Sequence, residues 1–289
     1  MVFAIVVIAI VIIVLLTAFV YKESTGFNVT EYVIETDKPI TRDLNIVMLS
    51  DLHDTDLGDD NKQVLEKISQ LNPDFVLLAG DMITSYMQPK YNSDVTFSFL
   101  EKLVKNNDVY YGLGNHEQRY LSEPDKFPGK FDSLKCFVDE CGIKFLQNEF
   151  VDIPELNVRI YGLNIPIEYY RRVVTKRLPD NYVGEVFGNM PSDKLNIMMA
   201  HNPDQFDIYV NGRPDIVVSG HVHGGIVGVP KLGGLISPQL KLFPKYDFGI
   251  FRKDGTTMVL GRGLGWHTIP VRIWNKAEIV NIKIVKKSF

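Results

Sequence analysis

Five short polar motifs constrain the fold of this chain more than any other feature. They contain five of its six histidines, together with acidic, amide and glycine residues. In chain order the motifs are Asp51-Leu52-His53, Gly80-Asp81, Gly114-Asn115-His116-Glu117, Ala200-His201-Asn202 and Gly220-His221-Val222-His223. Each follows an apolar segment with the length of a buried strand. Because open α/β sheets bind ligands beyond the carboxyl ends of their strands, the pattern predicts a site at one such edge.

The apolar segments alternate with helical periods in the first half of the chain and cluster more densely afterwards. Helices are predicted at 61–71, 95–105 and 131–141. Strands are predicted at 32–34, 44–49, 74–79, 108–113, 157–163, 194–200, 215–219, 256–260 and 277–285. The alternation favours an α/β fold, and the strand-rich second half favours two sheets packed face to face.

A segment of a different kind precedes the motifs. Residues 2–20 carry no charge and consist mostly of Val, Ile, Ala and Leu. At about 1.5 Å per helical residue they cover nearly the ~30 Å hydrocarbon core of a bilayer. Tyr21 and Lys22 follow as an aromatic and a cationic anchor. We predict a transmembrane anchor at 1–21, a linker with the first strand at 22–43, and one globular domain at 44–289.

A cleaved signal peptide or a buried core helix are the alternatives for residues 2–20. A signal peptide usually has basic residues before a shorter apolar stretch of roughly 7–15 residues. No Lys or Arg precedes this segment, and no small-x-small cleavage site stands near Thr17-Ala18. We therefore favour a single-pass anchor in the cell membrane. Its orientation stays open, because Lys22, Lys38 and Arg42 only weakly favour a cytoplasmic domain.

Charge and cysteine content narrow the classes of partner and of fold. The formal net charge is -4, whereas a protein that binds duplex nucleic acid usually has a basic surface. We therefore expect no nucleic-acid partner. Cys136 and Cys141 are too few for a disulfide framework. On one helix their Cα atoms would lie roughly 8–9 Å apart, beyond the usual disulfide span, so we predict buried free thiols.

The ligand chemistry of the motifs indicates a metal site. In an extended stretch, residues two apart point to the same side, so Asp51 and His53 can converge on one ion. His221 and His223 can do so as well if their turn is extended. Carboxylate, imidazole and amide ligands without thiolate suit Mn, Fe or Zn at a catalytic site. Any single histidine could instead be a hydrogen-bonded core residue, but the ordered set favours ligands.

The ordered motifs resemble the calcineurin-like metallophosphoesterase superfamily, whose pattern reads Asp-x-His, Gly-Asp, Gly-Asn-His-Asp/Glu, His and Gly-His-x-His. The resemblance covers about residues 44–273 and is greatest to the bacterial membrane-anchored branch. Its further signs are Ser50 before Asp51, His201-Asn202-Pro203-Asp204, Gly224-Gly225, Gly261-Arg262-Gly263-Leu264-Gly265 and Pro270-Val271-Arg272. The resemblance implies a four-layer α/β/β/α sandwich of two mixed sheets, preceded by one transmembrane helix.

The resemblance also implies roles for individual residues. One divalent metal would be held by Asp51, His53, Asp81 and His223. A second would be held by Asp81, Asn115, His201 and His221, with Asp81 and a hydroxide bridging the two ions. His116 would contact the phosphate and protonate the leaving oxygen. Thr55 stands where the superfamily often has Gly, and Thr84 stands where it often has Asp or Arg. These departures change the rim of the pocket but remove no ligand.

Several functions agree with these features. We favour a membrane-anchored phosphodiesterase that acts on a lipid-linked or other cell-envelope substrate. A nucleotide phosphodiesterase or a phosphomonoesterase comes second, and a tethered module without turnover is the alternative from a different class. The acidic balance disfavours a nuclease. The substrate, the native metals and the oligomeric state stay open.

Four further segments lie outside this pattern. The loop from Gly261 to Gly265 lacks the strand–loop–helix setting of a dinucleotide site, so we predict a tight turn near the site. His267 receives no chemical role. Residues 169–172, with Lys176 and Arg177, form a basic and aromatic patch that is either solvated or in contact with an anionic group. Residues 231–245 form either a loop packed on the core or a lip that contacts the bilayer.

Overall fold

Two sheets form the centre of the molecule. The computed structural model describes residues 2–86, 93–171, 176–225, 227–229, 233–236, 244–266 and 271–287. Within them, two six-stranded sheets pack face to face and helices cover the outer face of each. The predicted four-layer α/β/β/α sandwich is therefore confirmed.

The helices and strands have the following bounds. The helices are α1 (Val2–Thr25), α2 (Lys62–Leu71), α3 (Asp94–Leu103), α4 (Asn115–Ser122), α5 (Lys130–Glu140), α6 (Tyr182–Phe187) and α7 (Phe206–Tyr209), with 3₁₀ turns at Ile167–Tyr170, Pro203–Gln205 and Val210–Gly212. The strands are β1 (Phe27–Thr36), β2 (Leu44–Leu49), β3 (Phe75–Leu78), β4 (Val109–Gly112), β5 (Lys144–Leu146), β6 (Glu149–Ile153), β7 (Val158–Gly162), β8 (Leu195–Met199), β9 (Ile216–Ser219), β10 (Val227–Val229), β11 (Gly233–Ile236), β12 (Gly249–Lys253), β13 (Thr256–Leu260) and β14 (Ala277–Lys286).

Both sheets are mixed. The first has the order β1-β14-β2-β3-β4-β5 and is parallel except between β14 and β2. The second has the order β12-β13-β9-β8-β7-β6, with antiparallel pairs only at its two outer edges. In each sheet the strands that precede the polar motifs are parallel neighbours. Their carboxyl ends therefore meet at one edge of the sandwich.

The central strands are apolar at every position because successive side chains point to two different buried faces. In β2, Ile46 and Met48 pack between the two sheets, whereas Val47 and Leu49 pack under the helices. Residues two apart share a face of a strand, so a strand buried on both faces needs apolar residues throughout. The inner core is formed by both sheets, and each outer core by one sheet and its helices.

The N-terminal helix α1 runs without a break into the globular part. It is long and apolar enough to cross a membrane, a property that a signal sequence shares. It extends to Thr25, four residues beyond the predicted end, and β1 begins at Phe27. The region 22–43 therefore holds the last turn of α1 and the whole of β1. The buried Ser24 hydroxyl accepts a hydrogen bond from the Arg272 amide at 3.0 Å.

Several local features differ from the predictions, and three of them have a clear physical reason. Helix α4 was not predicted, because its first residues form a polar ligand motif without an apolar period. Strand β1 is ten residues long rather than three, because it pairs along its whole length with the distant β14. Both cysteines are free, as predicted, but Cys136 is exposed and Cys141 only half-buried. The buried position predicted for Cys136 is wrong, since it lies on the outer side of α5.

Candidate metal centre

Five strand ends deliver the predicted site residues to one place. Asp51 follows β2, Asp81 follows β3 and Asn115 follows β4 in the first sheet. His201 follows β8 and His221 follows β9 in the second sheet. All of these strands are parallel to their neighbours in the set, so their ends face the same side. The site thus lies across the carboxyl edges of both sheets.

The first group of donor atoms comprises Asp51, His53 and His223. Their ligand atoms all lie within 4.8 Å of one another. The Nε2 atoms of His53 and His223 are 3.1 Å apart. Asp51 Oδ1 lies 3.3 Å from His223 Nε2 and 3.8 Å from His53 Nε2. All three side chains are buried, so water contributes little to their solvation.

The second group comprises Asp81, His201 and His221, with Asn115 beside it. Asp81 Oδ2 lies 3.1 Å from His201 Nε2. One end of the Asn115 side-chain amide lies 2.7 Å from His221 Nδ1 and 3.2 Å from Asp81 Oδ2. Asp81 Oδ2 is also 3.9 Å from His53 Nε2, so this carboxylate faces both groups of donors.

The orientation of these donors fits divalent cations. The Nδ1 atom of His201 lies 2.6 Å from the Ala79 carbonyl oxygen. That contact requires a proton on Nδ1, so the lone pair of a neutral ring is on Nε2 and faces Asp81. The Asn115 amide meets two further acceptors at this place, so its nitrogen could donate to both or its oxygen could bind a cation there. Buried lone pairs that face one another repel unless a proton or a metal cation lies between them.

The backbone at the site is left-handed rather than extended. Asp51, His53, Asp81, His221 and His223 all have φ between 50° and 76°. Such angles are uncommon for residues other than glycine and cost free energy that the surroundings must supply. The condition for His221 and His223 to share one ion is therefore not met, and they lie in different donor groups. The assignment of each ligand to a particular ion stays a prediction.

Glu117 organises the site, a role that the sequence did not reveal. Its carboxylate is fully buried and accepts hydrogen bonds from the backbone N–H groups of Asp81, Met82, Ile83 and Gly114 and from the Tyr111 hydroxyl. Burial raises the pKa of Glu117 to about 7, and the charge of Asp81 adds to this, while the donors oppose it. The carboxylate thereby joins the loop after β3 to the start of α4. The only sequence signal is the capping-box spacing of Glu117, three residues after Gly114.

His116 has a defined tautomer. The Ser85 backbone N–H donates to His116 Nδ1 at 2.7 Å, so a neutral ring carries its proton on Nε2. The rings of His53 and Tyr86 stand edge-on to the imidazole, with centroids 4.7 Å and 5.2 Å away. The ligand atoms of His116, His53 and Asp81 lie within 4.8 Å of one another. A neutral ring offers its Nε2–H as a hydrogen-bond donor beside the donor cluster, whereas the proton donation that the resemblance implies requires the imidazolium form.

Charges inside the cluster are strongly coupled. Burial raises the pKa of Asp51 to about 6, although His201 opposes this. Burial also acts to raise the pKa of Asp81, but His201, His116 and His53 lower it well below its usual value. Burial acts to lower the pKa of His201, yet Asp81 and Asp51 raise it to about 10. A metal ion that binds His201 must therefore displace a proton.

The glycine-rich loop after β13 supports Asp51 from behind. Gly263 has φ +70°, and a Cβ there would lie 2.7 Å from Asp51 Cβ. The Leu264 and Gly265 amides donate to the Ser50 and Asp51 carbonyls at 2.9 Å and 2.6 Å. The buried Arg272 guanidinium donates to the carbonyls of Arg262, Gly263, Gly265 and Asn275. The loop is thus a tight turn against the site.

The remaining predicted features lie partly outside the described residues. Tyr170 belongs to the basic and aromatic patch but is buried, and its ring stands edge-on to His221 with centroids 5.1 Å apart. That residue is therefore part of the site wall and not of a solvated insert. Arg172, His267, Pro270 and most of the segment 231–245 lie outside the described residues.

Comparisons with known proteins agree with this geometry. A family model described as calcineurin-like phosphoesterase matches residues 44–225. An uncharacterized metallophosphoesterase of Aquifex aeolicus is 28% identical over 95% of this chain and 98% of its own length. A Danio rerio transmembrane protein with a metallophosphoesterase domain is 26% identical over 83% of this chain, which spans only 52% of that relative.

A third relative has an assigned activity. It is the UDP-2,3-diacylglucosamine pyrophosphatase LpxG of Chlamydia muridarum, 26% identical over 82% of this chain and 82% of its own length. The family match covers well over half of the chain and contains every residue of the donor cluster. This chain belongs to the calcineurin-like phosphoesterase family.

Proposed function

We propose that this chain is a membrane-anchored hydrolase that cleaves a phosphodiester linkage in a lipid-linked substrate with the help of two divalent metal ions. The observation that carries the proposal is the convergence of carboxylate and imidazole groups on the two sides of Asp81, with the Asn115 amide beside them. Family membership supports hydrolysis of a phosphoester. The type of ester and the lipid-linked substrate are the proposed parts.

The proposed ligand sets follow the two donor groups. Asp51, His53 and His223 would hold one ion, with Asp81 as a shared ligand. The second ion would be held by Asp81 and by Asn115, His201 and His221. Donors of this kind accept Mn, Fe or Zn. When bound, the two ions would supply positive charge that activates a water and neutralises the phosphoryl oxygens.

The residues of the chain contribute orientation and a proton. Glu117 holds the backbone of Asp81 and Gly114, so the bridging carboxylate and Asn115 keep a fixed separation. His116 would point its Nε2–H at the leaving oxygen, because the Ser85 amide donates to Nδ1. Transfer of that proton requires the imidazolium form, so Nδ1 would first exchange the Ser85 hydrogen bond for a proton, and the ring would return to the neutral form after donation.

Two observations favour a lipid-linked diester. The apolar helix α1 would tether the catalytic edge beside a bilayer. One relative is named as a pyrophosphatase of a diacylated sugar nucleotide, a reaction that cleaves a phosphoanhydride between two phosphorus atoms, each of which carries two substituents. We transfer to this chain only the class, namely a disubstituted phosphorus in a molecule that carries acyl chains.

A metal-reconstitution assay tests the catalytic proposal. The full chain in detergent is stripped with a chelator, and Mn, Fe and Zn are restored singly. Hydrolysis of a chromogenic phosphodiester is then compared with hydrolysis of the matching monoester. Preference for the monoester would move the assignment to a phosphatase. Absence of turnover with every metal would instead favour a tethered module without catalysis. Turnover that survives Asp81→Ala would not come from this site and would favour the same alternative.

A second assay tests the substrate class. The full chain is offered a diacylated sugar nucleotide in mixed micelles beside the same sugar nucleotide without acyl chains. The proposal expects a higher kcat/KM for the acylated compound. Equal rates for both would favour the nucleotide phosphodiesterase. An inert lipid added to the reaction with the sugar nucleotide that lacks acyl chains controls for activation of the enzyme by the micelle alone.

A further inference from the structure

The two tryptophans of the chain both contact the end of α1, and neither belongs to the hydrophobic cores. The rings of Trp274 and Phe19 stand edge-on, with centroids 5.9 Å apart. The Trp266 indole N–H donates to the Ser24 carbonyl at 2.9 Å. The helix is exposed from residue 2 to residue 18 and becomes half-buried at Phe19. Both tryptophans therefore stand where the apolar stretch 2–20 ends.

The two indoles lie on different sides of the helix. Trp274 contacts Phe19, whereas Trp266 lines a cavity of about 490 Å³ with Leu16, Val20 and Tyr21. Consecutive helical residues such as Phe19 and Val20 point about 100° apart. The cavity opens broadly to the surface and is mostly apolar, apart from Thr17, Ser24 and Thr25.

The exposure of these rings is unusual for a protein surface in water. Trp274 is 57% exposed and Tyr21 is 70% exposed. Trp and Tyr are enriched at membrane interfaces, where the ring body lies among acyl chains and the polar atom reaches the headgroups. The exposed Lys22 adds a cation that suits the same layer. The chemistry of this surface therefore matches a lipid interface.

We propose that Tyr21, Trp266 and Trp274 form an aromatic collar that lies in the headgroup layer of the bilayer, and that an acyl chain of a bilayer lipid occupies the cavity beside Trp266. This inference rests on the proposed function, because it requires α1 to span the membrane. The collar adds a second contact with the bilayer, made by the C-terminal part of the globular domain.

The collar is joined directly to the donor cluster. The Trp266 amide donates to Thr55 Oγ1 at 3.3 Å, and the adjacent Gly265 amide donates to the Asp51 carbonyl at 2.6 Å. Arg272 donates to the Gly265 carbonyl, and its own amide is bound by Ser24 of α1. Through these bonds a collar in the headgroup layer would hold Asp51 at a fixed height beside the lipid.

Tryptophan fluorescence tests the collar because no other tryptophan contributes. The full chain and the single-tryptophan variants Trp266→Phe and Trp274→Phe are reconstituted into phosphatidylcholine vesicles. The lipids carry bromine either near the headgroup end or near the terminal end of one acyl chain. We expect bromine near the headgroup to reduce emission of both variants about twofold or more, and terminal bromine to have less effect, as interfacial depth requires.

A reporter elsewhere provides the matched control. Phe150→Trp, introduced together with both Trp→Phe changes, places an indole on the exposed outer strand β6 of the second sheet. Its emission should respond to acrylamide in the water and not to brominated lipid. A collar indole that responds in the same way would overturn the proposal. An indole quenched by neither agent would also overturn it, because such an indole would be buried against protein.

Alkaline extraction separates failure of the collar from failure of the anchor. A chain that stays in the vesicles while its collar tryptophans are quenched only from water has an anchor and no lipid-bound collar. A chain released from the vesicles lacks the membrane-spanning helix, which overturns the collar and the membrane part of the proposed function together. The chromogenic diester assay, run on the same sample, reports the catalytic part independently.

Discussion

The Glu117 carboxylate accepts a hydrogen bond from the backbone amide of Asp81 at 2.9 Å, although the two residues are 36 positions apart. The same oxygen accepts a hydrogen bond from the Gly114 amide at 2.8 Å. One buried side chain therefore sets the distance between the loop that carries the candidate bridging ligand and the helix that carries Asn115 and His116.

Replacing Glu117 by Gln tests this arrangement with almost no change of shape. Every partner of Glu117 is a donor, so an amide nitrogen would face backbone N–H groups in either orientation. Hydrogen bonds to a charged group contribute roughly 1.5–3 kcal/mol each, although release of the buried charge offsets part of the loss. We expect Tm to fall by about 5–10 °C, with metal content reduced. Calorimetry and elemental analysis measure both, and Glu66→Gln on the exposed side of α2 is the control.

Metal content distinguishes a bridging Asp81 from a ligand of one ion. Asp81→Asn keeps the shape but removes the charge that faces both donor groups. We expect loss of both ions and a fall in kcat of at least about 10³-fold, since the charge of both sites depends on it. Elemental analysis after dialysis gives the stoichiometry. Retention of one tightly bound ion per chain would contradict the shared role.

His116→Gln separates proton donation from metal binding. The variant should keep its metals, and kcat should fall about 10²–10⁴-fold for a substrate with an alkoxide leaving group. For a nitrophenolate leaving group the loss should be much smaller, because that group departs without a proton. Rates for a series of leaving groups, with metal content measured in parallel, check this. An equal loss for every leaving group would indicate that His116 only orients the phosphate.

The sequence indicated the candidate ligands because buried parallel strands produce uninterrupted apolar segments. The end of each segment is therefore visible, and Asp51, Asp81 and His201 stand directly beyond such ends. The roles of Glu117 and Arg272 were not visible, because they depend on backbone groups from distant loops. The left-handed turns at His221 and His223 also escaped prediction, since neither residue type requires φ > 0.

Long-range pairing set a second limit on what the sequence could reveal. β1 forms its ladder with β14, about 250 residues away, and its own pattern indicated only three strand residues. α4 has no apolar period, because four of the five residues it buries are polar, namely Asn115, His116, Glu117 and Gln118. Burial of polar residues in a site removes the periodicity on which helix prediction depends.

An ion-pair network on the second sheet predicts a pH dependence of stability. Asp152 accepts hydrogen bonds from Arg159 at 2.7 Å and 2.8 Å and from Lys194 at 2.9 Å. The bonds to Arg159 lower the pKa of Asp152 to about 2, despite partial burial. A lowered carboxyl pKa stabilises the fold above the unfolded value near 4, and this stabilisation is lost as pH falls through about 2.

The variant Asp152→Asn should therefore have a Tm about 2–4 °C below that of the parent near pH 7, a small change because the pair is partly exposed. The difference should shrink as pH falls below about 4. Thermal unfolding across this range measures it. The exposed pair of Lys135 and Asp139 on α5 provides the control, and Asp139→Asn should change Tm little at any pH.

Gly114→Ala tests how closely the start of α4 approaches the bridging carboxylate. The φ of Gly114 is -98°, which alanine adopts without strain, so only space opposes the substitution. A Cβ would lie 2.2 Å from Asp81 Oδ1 and 2.4 Å from Asp81 N, too close for either atom to remain in place. Displacement of Asp81 should remove metals and lower kcat by at least about 10²-fold, because small misplacements at a reacting centre cost that much.

Gly184→Ala in α6 is the matched control, since a Cβ there meets nothing within 4 Å. It should retain full activity and stabilise the fold by roughly 0.5–1 kcal/mol. Full metal content in Gly114→Ala would show that the loop after β3 can move without loss of the site.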